Sequence, residues 1–218
     1  LILSALRHRA SGELTHYVAA ISDLSSRKAA EEKIAFLSTR DVVTGLPNRT
    51  QVAMRAEVAL DRARIEGDGV ALLVVDIDNF KTLNDSLGHA AGDFLLREIG
   101  QRLQHFGGGQ SVVGRLSGDE FLLMQAGIKT TTDAAHLASA MMEAVAQPVT
   151  FDGLPVNVSL SVGVAMFPSD GDRFDTLFGR ADAAMYAAKR GGRAAYQFAT
   201  ASMNDAALER LQLEAALR

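Results

Sequence analysis

The chain contains no cysteine and no tryptophan among its 218 residues. Lack of cysteine excludes a disulfide scaffold, a thiolate zinc site and a cysteine nucleophile. It suits a reducing compartment. No apolar run approaches the roughly 18 residues that a membrane-spanning helix needs. Blocks of basic residues are missing as well: 22 Lys and Arg against 26 Asp and Glu leave a net charge of −4. Such a mildly acidic chain argues against nucleic-acid binding through charge. Internal repeats and low-complexity tracts are also absent.

What is present is ordinary for a folded protein. Hydrophobic residues make up 48% and charged residues 22%, near the globular averages. A chain of this length suits one or two domains and can bury most of the surface it exposes unfolded. That excludes a largely disordered or collagen-like protein. The first residue is Leu1, so a piece of a longer protein is expected. A cytoplasmic location without membrane contact by this piece is expected, while the parent could be membrane-anchored.

Residues 1–24 read as two strands, Leu1–Leu6 and Leu14–Ile21, around Ser11-Gly12, which suggests a hairpin. A lone hairpin is marginal in water, so it is expected to be the tail of a larger domain. Residues 25–40 carry helix formers after a serine start and read as an amphipathic linker helix. That helix is either a solvated connector or a stalk pairing with its twin. The main domain spans 41–200. Helical periodicity covers Arg49–Arg64, Asp93–Leu103, Thr132–Gln147 and Asp175–Arg190. Strands are expected at Val70–Val75, Ser111–Leu116, Phe121–Gln125, Pro155–Phe167 and Ala194–Phe198. The Val70–Val75 run is continuously apolar, as in a strand buried on both faces. Residues 205–218 read as a second amphipathic helix. The order implies an α+β sheet flanked by helices.

Four clusters carry possible chemistry. Asp76 and Asp78 stand where the apolar strand ends. They are either a cap and a turn residue or ligands for a hard divalent cation. Ser117-Gly-Asp-Glu120 joins two short strands, either as a plain hairpin turn or as a second arm of the same site. Lys189 and Arg193 at a helix end suit the helix dipole or a polyphosphate. Asn84 and Asp93 suit a loop and an N-cap. They also suit the donor and acceptor edge of guanine.

In combination the motifs are far more specific. Thr44-Gly-Leu-Pro-Asn-Arg49, Asp76-Ile-Asp-Asn-Phe-Lys81, Asn84 with Gly88-His89 and Gly92-Asp93 closely resemble the GGDEF family of diguanylate cyclases. So do Arg115-Leu-Ser-Gly-Asp-Glu-Phe121, Ser161-Val-Gly-Val164, and Ala181-Asp182 followed by Met185-Tyr-Ala-Ala-Lys189 and Gly192-Arg193. The resemblance runs from about Asp41 to Phe198. It implies a palm-like nucleotide-cyclase fold with a central, mostly antiparallel sheet. It implies condensation of two GTP into cyclic di-GMP and two pyrophosphates, with a homodimer needed for catalysis. By the same resemblance, Asp76, the Ile77 carbonyl, Asp119 and Glu120 hold two Mg²⁺ (or Mn²⁺) ions. Glu120 assists the second ion or deprotonates the attacking 3′-hydroxyl. Asn84 and Asp93 read guanine. Lys81, Lys189 and Arg193 hold the triphosphate, with Phe80 and Gly118 backbone close to phosphates and ribose.

The chain departs from the family pattern in four places. Ser117 replaces the first glycine of the signature, which is expected to weaken turnover without abolishing it. Gly108-Gly-Gln-Ser111 stands where the family's inhibitory Arg-x-x-Asp would be, so feedback inhibition there is not expected. Val43 replaces a usual Leu, and Ala194 stands where Asn is common. The flanks resemble neighbouring modules. Residues 12–24 look like the end of a PAS sensor domain, and 208–218 like the lead-in to an EAL phosphodiesterase domain. Three functions follow: a working cyclase, a GTP-binding module that tunes an adjacent EAL domain, or a structural spacer.

Overall fold

The computed structural model describes residues 2–7, 11–12, 14–20, 36–108 and 111–200. The chain divides into two units, 1–38 and 39–218. In the first, β1 (Ile2–Arg7) and β2 (Leu14–Ala20) pair antiparallel, with an irregularity at Leu6/Arg7. This is the hairpin expected from the sequence. Most of the expected linker helix, and all of the helix expected at 205–218, lie outside the described residues; 36–39 are helical.

The second unit is built on a five-stranded sheet. Its strands are β3 (Val70–Ile77), β4 (Val112–Ser117), β5 (Glu120–Ala126), β8 (Leu160–Phe167) and β9 (Ala195–Phe198). The strand order is β4-β5-β3-β8-β9. All neighbours run antiparallel except β8 and β9. A separate small ribbon joins β6 (Val149–Phe151) to β7 (Leu154–Val156).

Among the described residues, five helices flank these strands. They are α1 (Arg49–Glu66), α2 (Phe80–Leu87), α3 (His89–Gln104), α4 (Thr131–Ala146) and α5 (Phe174–Arg190). Local signals explain three of the ends. The Asn48 side chain accepts the Gln51 amide at the start of α1, and Gly67 closes that helix at φ 71°. Thr130 and Asp133 form a reciprocal capping box on α4.

Every residue of β3 is buried, because the strand feeds two cores. Ala71, Leu73, Val75 and Ile77 face one core with Leu95, Leu96 and Ile99 of α3 and Ala138 and Met141 of α4. Val70, Leu72 and Val74 face the other with Val52, Ala56 and Leu60 of α1 and Leu177 and Ala181 of α5. The alternation of a pleated strand thus sorts one apolar run onto two layers of helix.

The layer under α5 depends on one missing side chain. A Cβ at Gly163 of β8 would run into the Ala181 carbonyl and the Met185 amide. Helix backbone therefore rests on strand backbone there. Gly163→Ala is expected to destabilise by about 1–3 kcal/mol, the usual cost of overpacking a rigid contact. A urea denaturation curve would read this as a lower midpoint at unchanged slope.

Two sequence readings are corrected. Residues 80–87 form α2, so Asn84 lies on a helix rather than a loop, and Asp93 lies inside α3 rather than capping it. The single strand expected at Pro155–Phe167 is two elements, β7 and β8. The chain between Asp152 (φ 48°) and Gly153 (φ 78°) turns tightly to pair β6 with β7.

Candidate active site

One end of the sheet collects the C-terminus of β3 and the N-termini of β5, β8 and β9. This follows from their relative directions. The sequence-predicted acids converge there. Asp76 stands opposite Glu120 on one side and Ser161 on the other. Directly opposed like charges on neighbouring strands repel. The Ile77 amide donates to the Asp119 carbonyl at 3.3 Å, so the turn carrying Asp119 abuts the end of β3.

Asp76 is 2% exposed. Its Oδ2 meets the Lys189 ammonium at 2.5 Å, while its Oδ1 is buried without a hydrogen-bond partner. Burial pushes its pKa up, the Lys189 hydrogen bond pulls it back, and the charges of Asp119 and Glu120 push it up again. The result is about 6, against an ordinary 3.8. A buried carboxylate oxygen left unpaired, beside two more carboxylates, fits a hard cation with oxygen ligands. Among the described residues, no group of three or more acidic or imidazole side chains is already gathered around one point. Lys189 brings a positive charge against Asp76. Asp182, also on α5, is pushed up by burial and pulled back by Lys189 and Arg49.

The hairpin turn at Ser117–Asp119 is held by residues that the sequence reading left without a role. Arg115 donates twice to the Gly118 carbonyl, at 3.0 and 2.6 Å. It also pairs with Asp41 at 2.9 Å. Asp41 in turn accepts the Thr44 amide and hydroxyl at 2.8 and 2.7 Å. Burial raises the Asp41 pKa, but the bonds from Thr44 and Arg115 outweigh it, and the carboxylate sits below its ordinary value. Arg115 and Asp41 are far apart in the chain, and no local spacing links them. Gly118 takes φ 49° in this turn, and the Ser117 hydroxyl donates to Glu120 at 3.3 Å.

A second cradle lies on α2 and α3. Asn84 Oδ1 is buried without a partner. It lies where a Cβ on Gly92 would fall, and the Phe80 ring tip is next to the same point. The structure thus brings Phe80, Asn84 and Gly92 together, with half-buried Asp93 adjacent in the chain. Lys81 is exposed in the first turn of α2. Arg193 is exposed in the turn after α5, at φ 66°. Of the expected phosphate-binding residues, only Lys189 has its side chain against the acids.

A sequence profile described as the GGDEF domain of diguanylate cyclases matches residues 38–195. The chain belongs to the GGDEF family. An uncharacterized signaling protein of Caulobacter vibrioides is 43% identical over 92% of this chain and 25% of its own length. MucR of Pseudomonas aeruginosa, a bifunctional diguanylate cyclase/cyclic di-GMP phosphodiesterase, is 39% identical over 87% of this chain and 27% of its own. The chain therefore spans about a quarter of the length of these relatives. Among solved structures, the GGDEF domain of TpbB (YfiN) from Pseudomonas aeruginosa is 37% identical. It superposes with a TM-score of 0.70, over 72% of this chain and 98% of that domain. The palm-like α+β architecture is thus that of GGDEF domains. No helix among the described residues is long and apolar enough to cross a membrane.

Proposed function

We propose that this GGDEF domain is a diguanylate cyclase that joins two GTP into cyclic di-GMP and releases two pyrophosphates. The observation that carries this is the Asp76 carboxylate. It is buried, half unpaired and set among Asp119, Glu120 and Lys189. Such a group is costly unless a cation completes it.

Asp76, the Ile77 carbonyl, Asp119 and Glu120 would hold two Mg²⁺ or Mn²⁺ ions. Bound there, the ions would neutralise the triphosphate and make the 3′-hydroxyl more acidic. Asn84 Oδ1 and the Asp93 carboxylate accept hydrogen bonds from the guanine N–H groups. Lys189, Arg193 and Lys81 bind the triphosphate as point charges and forks. Glu120 assists the second ion or takes the proton of the attacking hydroxyl. The Arg115–Asp41 pair keeps the Gly118 turn, and with it Asp119, in register with β3. One domain supplies one GTP, so two copies face each other for the condensation.

Gly92→Ala tests the guanine cradle. The added Cβ displaces Asn84 and the Phe80 ring, and GTP affinity is expected to fall about tenfold, as for loss of one good hydrogen bond. Calorimetric titration with GTP reads it, and unchanged affinity would remove Asn84 from the base-reading role.

The cyclase reading itself is tested by incubating the chain with GTP and Mg²⁺ and separating the products by chromatography. Cyclic di-GMP is expected, and its level is expected to be insensitive to added product because Arg-x-x-Asp is replaced by Gly108–Ser111. A second reading is a module that binds GTP and tunes an adjacent EAL domain of the same parent, beside a PAS domain. It is favoured by Ser117, whose hydroxyl engages Glu120. GTP binding without product would select it.

A further inference from the structure

Asp76 and Asp78 sit two residues apart, yet their environments differ. Asp78 is 6% exposed and has neutral donors on both oxygens. The hydroxyls of Ser159 and Ser161 donate to Oδ2 and Oδ1, each at 2.6 Å. The Ala194 amide donates to Oδ2 at 3.0 Å. Asp78's own amide is tied to the Ser159 carbonyl at 2.9 Å. Three donors within the protein satisfy this carboxylate, two on Oδ2 and one on Oδ1. It reaches from the end of β3, past the start of β8, to the residue that leads into β9.

That residue belongs to an unusual turn. Arg193 and Ala194 are both left-handed, at φ 66° and 45°. Neither is glycine, and Ala194 has no polar side chain to support the conformation locally. Residues 191–194 are exposed, so burial does not hold the turn either. The amides of its two left-handed residues hold it: the Ala194 amide donates to the Asp78 carboxylate, and the Arg193 amide donates to the Ala188 carbonyl at 3.1 Å. Strained residues persist where their surroundings over-determine them, and they gather at binding sites.

We propose that Asp78 is a positioning residue that clamps the Arg193–Ala194 turn in its left-handed form. It thereby sets Arg193, and the end of α5 with Lys189, for the triphosphate. This rests on the reading of the site as a GTP site. It gives the second Asp of Asp76-Ile-Asp78 a task distinct from the first.

The test titrates the whole 218-residue chain in Mg²⁺ with 3′-deoxy-GTP, which lacks the attacking hydroxyl, and separately with guanosine. Asp78→Ala is expected to weaken 3′-deoxy-GTP about tenfold, the scale of one hydrogen bond to a charged group. Guanosine affinity is expected to stay unchanged. Asp78→Asn keeps an acceptor toward Ala194 and is expected to remain within about threefold of the parent chain. Ala194→Pro lies on the exposed turn. It removes the same donor and cannot take a positive φ, so it is expected to reproduce the loss even if Asp78→Ala does not fold. Equal loss of both ligands in Asp78→Ala, or full 3′-deoxy-GTP affinity in Ala194→Pro, overturns the proposal. A parent chain that binds neither ligand overturns the GTP reading instead.

Discussion

Asp119→Asn is expected to lower cyclic di-GMP formation by on the order of 10³-fold, the scale seen when a charge-stabilising group is removed from a reaction centre. The side chain keeps its size, and Asp119 sits in a partly exposed turn. The turn itself is fixed through backbone, by Arg115 on the Gly118 carbonyl and by the Ile77 amide on the Asp119 carbonyl. Neither contact uses the substituted carboxylate. Folding is therefore expected to survive, with a urea midpoint close to that of the parent chain. Chromatography of the GTP reaction reads the first part and denaturation the second. Undiminished product from Asp119→Asn would break the site assignment. Glu120→Gln is expected to act in the same direction.

Asp76→Asn is expected to stop turnover and to stabilise the chain. In the cation-free protein Asp76 protonates near pH 6 instead of 3.8. Between roughly pH 4 and 6 the folded state therefore holds a proton that the unfolded state has released. Stability must fall as pH rises through that window, and the full penalty is present above it. A shift of this size corresponds to about 3 kcal/mol. Asn carries no charge to desolvate and no repulsion from Asp119 and Glu120. It forfeits the ion pair with Lys189, but that side chain is 30% exposed and can turn to water. The variant at pH 7, without divalent cation, is thus expected to be about 2–3 kcal/mol more stable than the parent. Its stability is also expected to stay flatter between pH 4 and 6. Urea curves across that range read both effects. A parent chain whose stability rises with pH there would show that the Asp76 charge is well accommodated.

These two substitutions probe residues that are legible as chemistry in the sequence. Asp76 closes an unbroken apolar run, and Asp119 and Glu120 sit in a tight turn between two short strands. Other parts of the site were not legible. Helix α2 follows Asn79, an N-cap that is left-handed and makes no side-chain cap bond. It is only eight residues long and contains Asn, Asp and Ser, all weak helix formers. Packing of Phe80 and Leu83 into the core selects the helix, and local propensity does not. The β6–β7 ribbon is three residues a side. Its one local signal was Asp152-Gly153.

The sequence by itself determined an α+β sheet with acids at one strand end, and its motifs, read together, carried the resemblance to the GGDEF family. Those properties are local, because a buried strand must be apolar and a tight turn must carry residues that tolerate it. Tertiary structure alone decided the raised pKa of Asp76 and the partners of both acids. Asp76 is strained because Glu120, Asp119 and Lys189 arrive from other elements. Asp78 is satisfied because two serines and a backbone amide, 81 to 116 residues further along the chain, close around it. Two carboxylates only two residues apart thus acquire different surroundings. Desolvation and hydrogen bonding depend on what packs around a group, and that is set by strand order rather than by neighbours in sequence.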